Sequence, residues 1–211
     1  MDPRQAKDAL LAAILPDVPF DGWTDAALDR AAERVGIERG ELHGLCPGGP
    51  RDLVGWFSHW ADRETLRTLE ARDLSALKVH ERIAAGVEAR LTVLAPHREA
   101  VRRALALLTA PQNLALGAKL LYDAVDALWQ AAGDSSTDFN FYTKRALLAG
   151  VYGATTLYWL DDRSPDSADT WAFLHRRLRD VMMIPKASER LRALASRLPD
   201  PFLFFRLAGR R

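Results

Sequence analysis

The sequence predicts an all-α protein, a helical bundle of about nine to ten helices. Three observations carry that prediction. Apolar residues recur at spacings of three and four, as in Val79, Ile83, Val87, Leu91 and Leu94, which lines one face of a helix. Prolines and glycines fall between such stretches, at Pro16, Gly36, Pro96 and Pro111, where they stop or start helices. No alternating β-branched run is long enough for a strand. At 211 residues, 48% hydrophobic and 27% charged, the chain suits one compact domain, or one with a small appendage.

Taken in order, residues 4–15 read as a first helix, stopped by Pro16. The stretch "GWTDAALDRAAERVG" holds a second, capped by Thr24 or Asp25 and ended by Gly36. "IERGELHGL" is a short third helix, closed by "CPGGP". A fourth covers about 51–69, with Trp56, Phe57, Trp60, Leu66 and Leu69 on its apolar side. The fifth spans 76–94; Pro96 opens a sixth that reaches about Thr109, and Pro111 opens a seventh that ends near Gly133. The eighth is capped by Thr137 or Asp138. "SPDSADTWAFLHRRLRDVMMI" is the ninth, with Pro165 in its first turn. A last basic segment covers 186–198. Three regions follow: a helix-turn-helix-like head at 1–60, a helical body at 61–184 and a basic tail at 185–211.

The net charge of +1 hides an asymmetry. Residues 1–60 carry ten acids and six bases, net −4, while 176–211 carry ten bases and three acids, net +7. Each sign limits the partners open to its end. The only cysteine, Cys46, excludes an intramolecular disulfide and argues for a reducing compartment. The start "MDPRQAKDAL" has no basic run leading into an apolar core, so no signal peptide is expected.

A helix, a short turn after Gly36 and a second short helix make a helix-turn-helix pattern. "AAERVGIERGEL" resembles the core of the head of TetR-type regulators, and this resemblance covers about 8–60. It implies operator binding as a dimer. The charges argue against that reading. Phosphate contacts need a basic face, whereas the segment is acidic, and its second helix sets Glu38 and Glu41 against Arg39. DNA is therefore not the expected partner, and a TetR-type regulator with a hydrophobic effector is the alternative.

The eighth helix carries fifteen consecutive residues, 146–160, without a charge. That falls short of the roughly 20 a spanning helix needs. One stripe holds Asp138, Phe141, Tyr142 and Arg145 and continues to Ala149 and Tyr152. Aromatics rimmed by an acid and an arginine suit either a docking patch or a capped helix start tucked into the core. A second stripe holds Ala146, Gly150, Gly153 and Leu157. Interior helical glycines cost about 1 kcal/mol each against alanine, so something is expected to approach this backbone closely. A neighbouring helix, a second copy of the chain and a ligand tail all qualify.

"GDSSTDFNFYTKRALLAGVY" followed by "SPDSADTWAFLHRRLRDVM", with "VPFDGWTDAAL" and "VRRALALLTAPQN", closely resembles the ubiquinone-biosynthesis accessory protein family. The resemblance covers about 18–184 and implies a TetR-like fold with a non-enzymatic role. Such proteins bind isoprenoid quinone precursors in a hydrophobic cavity and present them to a membrane-bound hydroxylase. Its docking patch falls here on Leu128, Asp138, Phe141, Tyr142 and Arg145; mitochondrial members have Trp in place of Phe141 and Met in place of Leu128. An isoprenoid tail needs a long, dry slot, and Trp56, Trp60, Leu121, Trp129, Tyr152 and Trp159 are the residues expected to line it. A homodimer, peripheral on the cytoplasmic side of the inner membrane, completes the expectation.

The tail fits the same picture. Leu191, Leu194 and Leu198 recur among Arg190, Arg192 and Arg197, and "PFLFFRL" adds Phe202, Phe204 and Phe205. A basic amphipathic segment with bulky anchors lies in an anionic membrane surface. No catalytic or metal-ligating constellation is visible. The five histidines make no HxxxH or Glu-x-x-His set, and there is no Gly-rich phosphate loop or nucleophile elbow. No cofactor is expected beyond the bound lipid.

Overall fold

Each helix start in the head has a local chemical reason. In the computed structural model, which describes residues 2–133 and 139–195 apart from the side chains of 139–143 and 182–195, α1 covers Pro3–Ile14 behind an Asp2 cap. A single turn, α2 (Val18–Asp21), was not anticipated. Thr24, not Asp25, caps α3 (Asp25–Val35), its hydroxyl accepting from the Ala27 N–H at 3.3 Å. Gly36 ends α3 in the left-handed region, at φ 70°, where glycine pays no Cβ penalty. After the turn comes α4 (Arg39–Leu45). Leu10, Leu11 and Ile14 of α1 and Leu28, Ala31 and Ala32 of α3 are buried together.

The body follows as α5 (Pro50–Glu70), α6 (Val79–Leu94), α7 (Arg98–Leu108) and α8 (Leu114–Ala131). Short 3₁₀ turns at Ala95–His97 and Pro111–Asn113 take the two prolines expected to open helices. The chain continues into α9 (Phe139–Asp161) and, after a 3₁₀ turn at Pro165–Ser167, into α10 (Ala168–Ala195). The dominant packing pairs are α1 with α3, α5 with α6 and α8, and α9 with α8 and α10. All ten α-helices and no strand lie among the described residues.

Three expectations change. Pro165 sits before α10 in a 3₁₀ turn, because Asp166 and Ser167 take positive φ (51° and 57°) and break the helical path there. The ninth helix and the basic segment are one helix, since α10 continues through Pro185 to Ala195. The boundary drawn between 60 and 61 falls inside α5, and one hydrophobic core joins head and body. Trp23 locks that junction, its ring tilted against Phe57 (5.6 Å) and its indole donating to the Ala100 carbonyl at 3.0 Å.

The close helix approach is made by Gly86 on α6, not by Gly150 or Gly153. A Cβ at Gly86 would lie 2.9 Å from a Leu128 methyl, whereas among the described residues nothing lies within 4 Å of one at Gly150 or Gly153. No single helix among the described residues is long and apolar enough to cross a membrane; only α6–α7 with α8, a pair bent by 102°, passes by length and composition.

Asp162 organises the α9–α10 corner. Its carboxylate accepts from the Ser164 N–H (2.8 Å) and hydroxyl (2.6 Å), and from the Thr170 N–H (2.9 Å) and hydroxyl. Burial pushes its pKa upward, but the hydrogen bonds from Ser164 and Thr170 outweigh it and bring the value down to about 2. The folded value lies below the unfolded one, so the stabilisation is full above about pH 4 and is lost as pH falls toward 2. Asp162→Ala should cost about 1–2 kcal/mol in urea unfolding at pH 7. That difference should fade in acid; a cost that stays constant down to pH 2 would show that the ionised carboxylate is not responsible.

Candidate functional site: an apolar cavity with one polar wall

Helices α5 to α9 surround a cavity of about 540 Å³. Val54 and Phe57 come from α5, Leu94 from α6, Val101, Ala104, Leu105 and Leu108 from α7, and Leu120, Leu121 and Ala124 from α8. The 3.6-residue period brings each helix's apolar stripe inward. Leu114 and Leu157 line the cavity while being 55% and 61% exposed, so they mark its opening. Gly153 lines it too, and the absent side chain leaves open space.

Among the described residues, five polar ones line this space: Ser58, Arg90, Thr109, Tyr152 and Thr156. Thr109 and Thr156 donate to carbonyls of their own helices, Ala106 at 2.8 Å and Tyr152 at 2.9 Å. The other three form a network. Arg90, 4% exposed, donates from Nε to Asp62 Oδ1 (2.9 Å), from one terminal nitrogen to the Tyr152 hydroxyl (2.6 Å), and from the other to the Ser58 hydroxyl (3.0 Å) and carbonyl (3.2 Å). Its second terminal nitrogen also lies 2.8 Å from Asp62.

A charge this deep needs a partner. Burial disfavours the Arg90 cation, but Tyr152 and Asp62 outweigh it and raise its pKa. Burial would raise the Asp62 carboxyl; the Arg90 charge and hydrogen bonds from His59 and Arg90 hold it below the ordinary carboxylate range. Elsewhere, burial lowers the pKa of His97, which packs edge-on against Phe57 and Trp60. Burial pushes the Cys46 thiol up, against a smaller opposing effect of Lys7, so a nucleophilic thiolate is disfavoured.

Of the residues expected to line a lipid slot, Leu121 and Tyr152 are on the cavity wall. Trp56 is not: its indole donates to Asp8 at 2.8 Å, with Lys7 and Arg63 against its ring, so it ties α5 to α1. Trp60 stands behind Phe57, stacked at 5.9 Å. Trp129 donates to the Lys144 carbonyl at 3.3 Å and joins α8 to α9. Trp159 is 1% exposed, carries Arg98 over its ring at 4.5 Å, and faces a separate cavity of about 360 Å³ with Trp171 and Arg72.

The expected docking patch is also redistributed. Leu128 is buried against Gly86, and the Arg145 side chain, 4% exposed, reaches inward to Asp126 at 2.6 Å. Neither offers a surface. Asp138 lies outside the described residues; Phe141 and Tyr142 are on the first turn of α9, with side chains outside the description. Leu191 and Leu194 are on α10 under the same limit, and Leu198, Phe202, Phe204 and Phe205 lie outside the described residues. Arg90, Ser58 and Asp62 were not anticipated. One signal was present: Arg90 lies seven residues after Ile83 and three after Val87, so the helical period puts a charge on the apolar face beside Leu91 and Leu94.

Residues 114–185, from the start of α8 into α10, match the COQ9 family model. Over 201 residues the chain is 33% identical to the "Ubiquinone biosynthesis protein COQ9, mitochondrial" of Rattus norvegicus and 34% identical to that of Homo sapiens. The alignments take in 92% of this chain and 64% and 63% of those proteins, so the chain spans less than two thirds of their length. Among solved structures, a TetR transcriptional regulator from Nitrosomonas europaea superposes with a TM-score of 0.68 at 20% identity, over 83% of this chain and 97% of that one. This likeness establishes a TetR-like fold.

Arg90→Met should cost about 3–5 kcal/mol in chemical unfolding, because it strands the Asp62 charge. Adding Asp62→Leu should recover most of that loss. A single-variant cost no larger than that of an exposed ion pair, up to about 1 kcal/mol, would show that the pair does not hold these helices together.

Proposed function

The chain belongs to the COQ9 family, and on that premise we propose that it serves ubiquinone biosynthesis as a non-enzymatic lipid-binding protein. It takes an isoprenoid quinone precursor into the α5–α9 cavity and presents it to a membrane-bound hydroxylase. The observation that carries this reading is the cavity itself. Its walls are apolar apart from a few polar groups, Arg90 is the one charged side chain on them among the described residues, and its volume of about 540 Å³ falls in the usual range for small-molecule sites. A cavity of that size takes a ring and a few isoprene units, so a longer tail leaves between Leu114 and Leu157. The reaction on the lipid belongs to the hydroxylase, which supplies the redox chemistry.

Membrane approach rests on the basic C-terminal end, where Leu191, Leu194, Leu198, Phe202, Phe204 and Phe205 supply the apolar anchors. Such a segment suits an anionic membrane surface, which in this reading is the cytoplasmic face of the inner membrane. With Leu128 and Arg145 turned inward, the docking surface for the hydroxylase reduces to Asp138, Phe141 and Tyr142. A homodimer forms along α9: Ala146, Gly150 and Leu157 are exposed on one side of it, and nothing within the described chain covers Gly150. DNA is not a ligand in this reading, since the outward face of α4 sets Glu38 and Glu41 against Arg39.

Organic extraction of the purified protein followed by mass spectrometry should recover an isoprenoid lipid, and the protein should float with anionic vesicles. Gly153→Leu should fill the cavity and remove most of the co-purified lipid while leaving vesicle binding intact. An extract without lipid, together with no vesicle binding, would sink the reading. Separately, Tyr142→Ala should weaken capture of the hydroxylase at least tenfold while the extracted lipid stays unchanged; equal capture would remove Tyr142 from the docking surface.

A further inference from the structure

The polar wall of the cavity has a donor count that selects its ligand. Arginine only donates. The Tyr152 and Ser58 oxygens both accept from Arg90, so each hydroxyl hydrogen must point elsewhere. Among the described residues, neither hydroxyl donates to a protein acceptor. Both belong to residues that line the cavity, and both sit on the terminal nitrogens of one guanidinium, which holds them side by side. The two lining threonines are spent on their own helices. The charge is balanced as well, because Asp62 faces the same guanidinium at 2.8 and 2.9 Å.

We infer that Tyr152 and Ser58, clamped by Arg90, are a head-group site that donates two hydrogen bonds to the oxygens of a neutral ring or carbonyl on the bound lipid. A pair of aligned free donors rewards a head that carries acceptor oxygens and leaves a bare hydrocarbon end unrewarded, because each hydroxyl oxygen already spends one acceptor position on Arg90 while its O–H is free. Local neutrality removes the advantage an anionic head would find beside an unpaired arginine. The buried position of Arg90 and Tyr152 and the exposed Leu114 and Leu157 set the orientation: head against the inner wall, tail through the opening. Arg90 is a positioning residue here, and Tyr152 and Ser58 make the contact. The assignment rests on the lipid-binding reading and specifies the chemistry of its ligand.

The test is displacement of a bound apolar fluorophore from the full chain by three probes with the same short isoprenoid tail: a ubiquinone, the plain hydrocarbon and the diphosphate. Wild type should bind the quinone about tenfold more tightly than the hydrocarbon and no more weakly than the diphosphate. Tyr152→Phe and Ser58→Ala should each weaken the quinone about three- to tenfold, the range of one neutral hydrogen bond, and leave the hydrocarbon unchanged. Unchanged quinone binding in both variants overturns the head-group site, and so does an equal loss for quinone and hydrocarbon. A diphosphate that wins in wild type overturns the neutral-head assignment. If no probe displaces the fluorophore from wild type, the lipid-binding reading itself fails and this inference falls with it. Ser58→Ala, on a half-buried position of α5, keeps the test open should Tyr152→Phe not fold.

Discussion

The buried Arg90–Asp62 pair is the constraint around which the body is arranged. One guanidinium on α6 reaches Asp62 and Ser58 on α5 and Tyr152 on α9. These helices also bound the cavity, so the same contacts that offset a buried charge hold the walls apart from one another at a set distance. An apolar cavity lined only by leucine and alanine would be free to close, since collapse recovers lost dispersion contacts. A hydrogen-bonded charge at its inner end resists that, because closing the space would require breaking bonds to a group that cannot be left unpaired.

The head is coupled to this arrangement without sharing its chemistry. Trp23 bridges the head to α7 through the Ala100 carbonyl and packs at a tilt against Phe57, which lines the cavity. Trp56, on the other side of α5, ties the same helix to Asp8 of α1. The helix-turn-helix unit thus acts as a packing partner for α5. Its outward acidic face fits that role and opposes phosphate contact. A TetR-like fold is therefore present with Glu38 and Glu41 exposed around the short second helix of its head, α4, and function resides in sites and not in architecture.

The eighth predicted helix, α9 in the structure, shows how an uncharged stretch divides its surroundings. Leu148, Val151, Tyr152 and Trp159 are buried, while Gly150 and Leu157 are exposed. The uncharged circumference is met on three sides by core, cavity and second cavity, and has an open side that the described residues do not cover. Among the described residues no neighbouring helix comes close to Gly150 or Gly153; Gly86 makes the close approach, against Leu128.

The sequence by itself determined the helical class, the order of the helices and most of their ends. Those properties are local: a 3.6-residue period, a Thr24 cap, a left-handed Gly36 and prolines that cannot continue a helix act within a few residues. It also carried the family resemblance, because a long block such as "STDFNFYTKR" is read without knowing where it sits. It did not determine which inward side chains face the cavity. Trp56, Trp60, Trp129 and Trp159 share the composition of a lipid slot, yet each has an indole or ring contact elsewhere: Trp56 with Asp8 of α1, Trp60 with Phe57 and His97, Trp129 with the Lys144 carbonyl of α9, and Trp159 with Arg98 of α7. Arg90 carried the opposite appearance, a charge on an apolar stripe, and became the polar centre of the site. Only the tertiary structure decided these, because the direction a side chain faces on a buried helix depends on the helices packed around it, and Asp62, Ser58 and Tyr152 meet Arg90 from 28, 32 and 62 residues away along the chain.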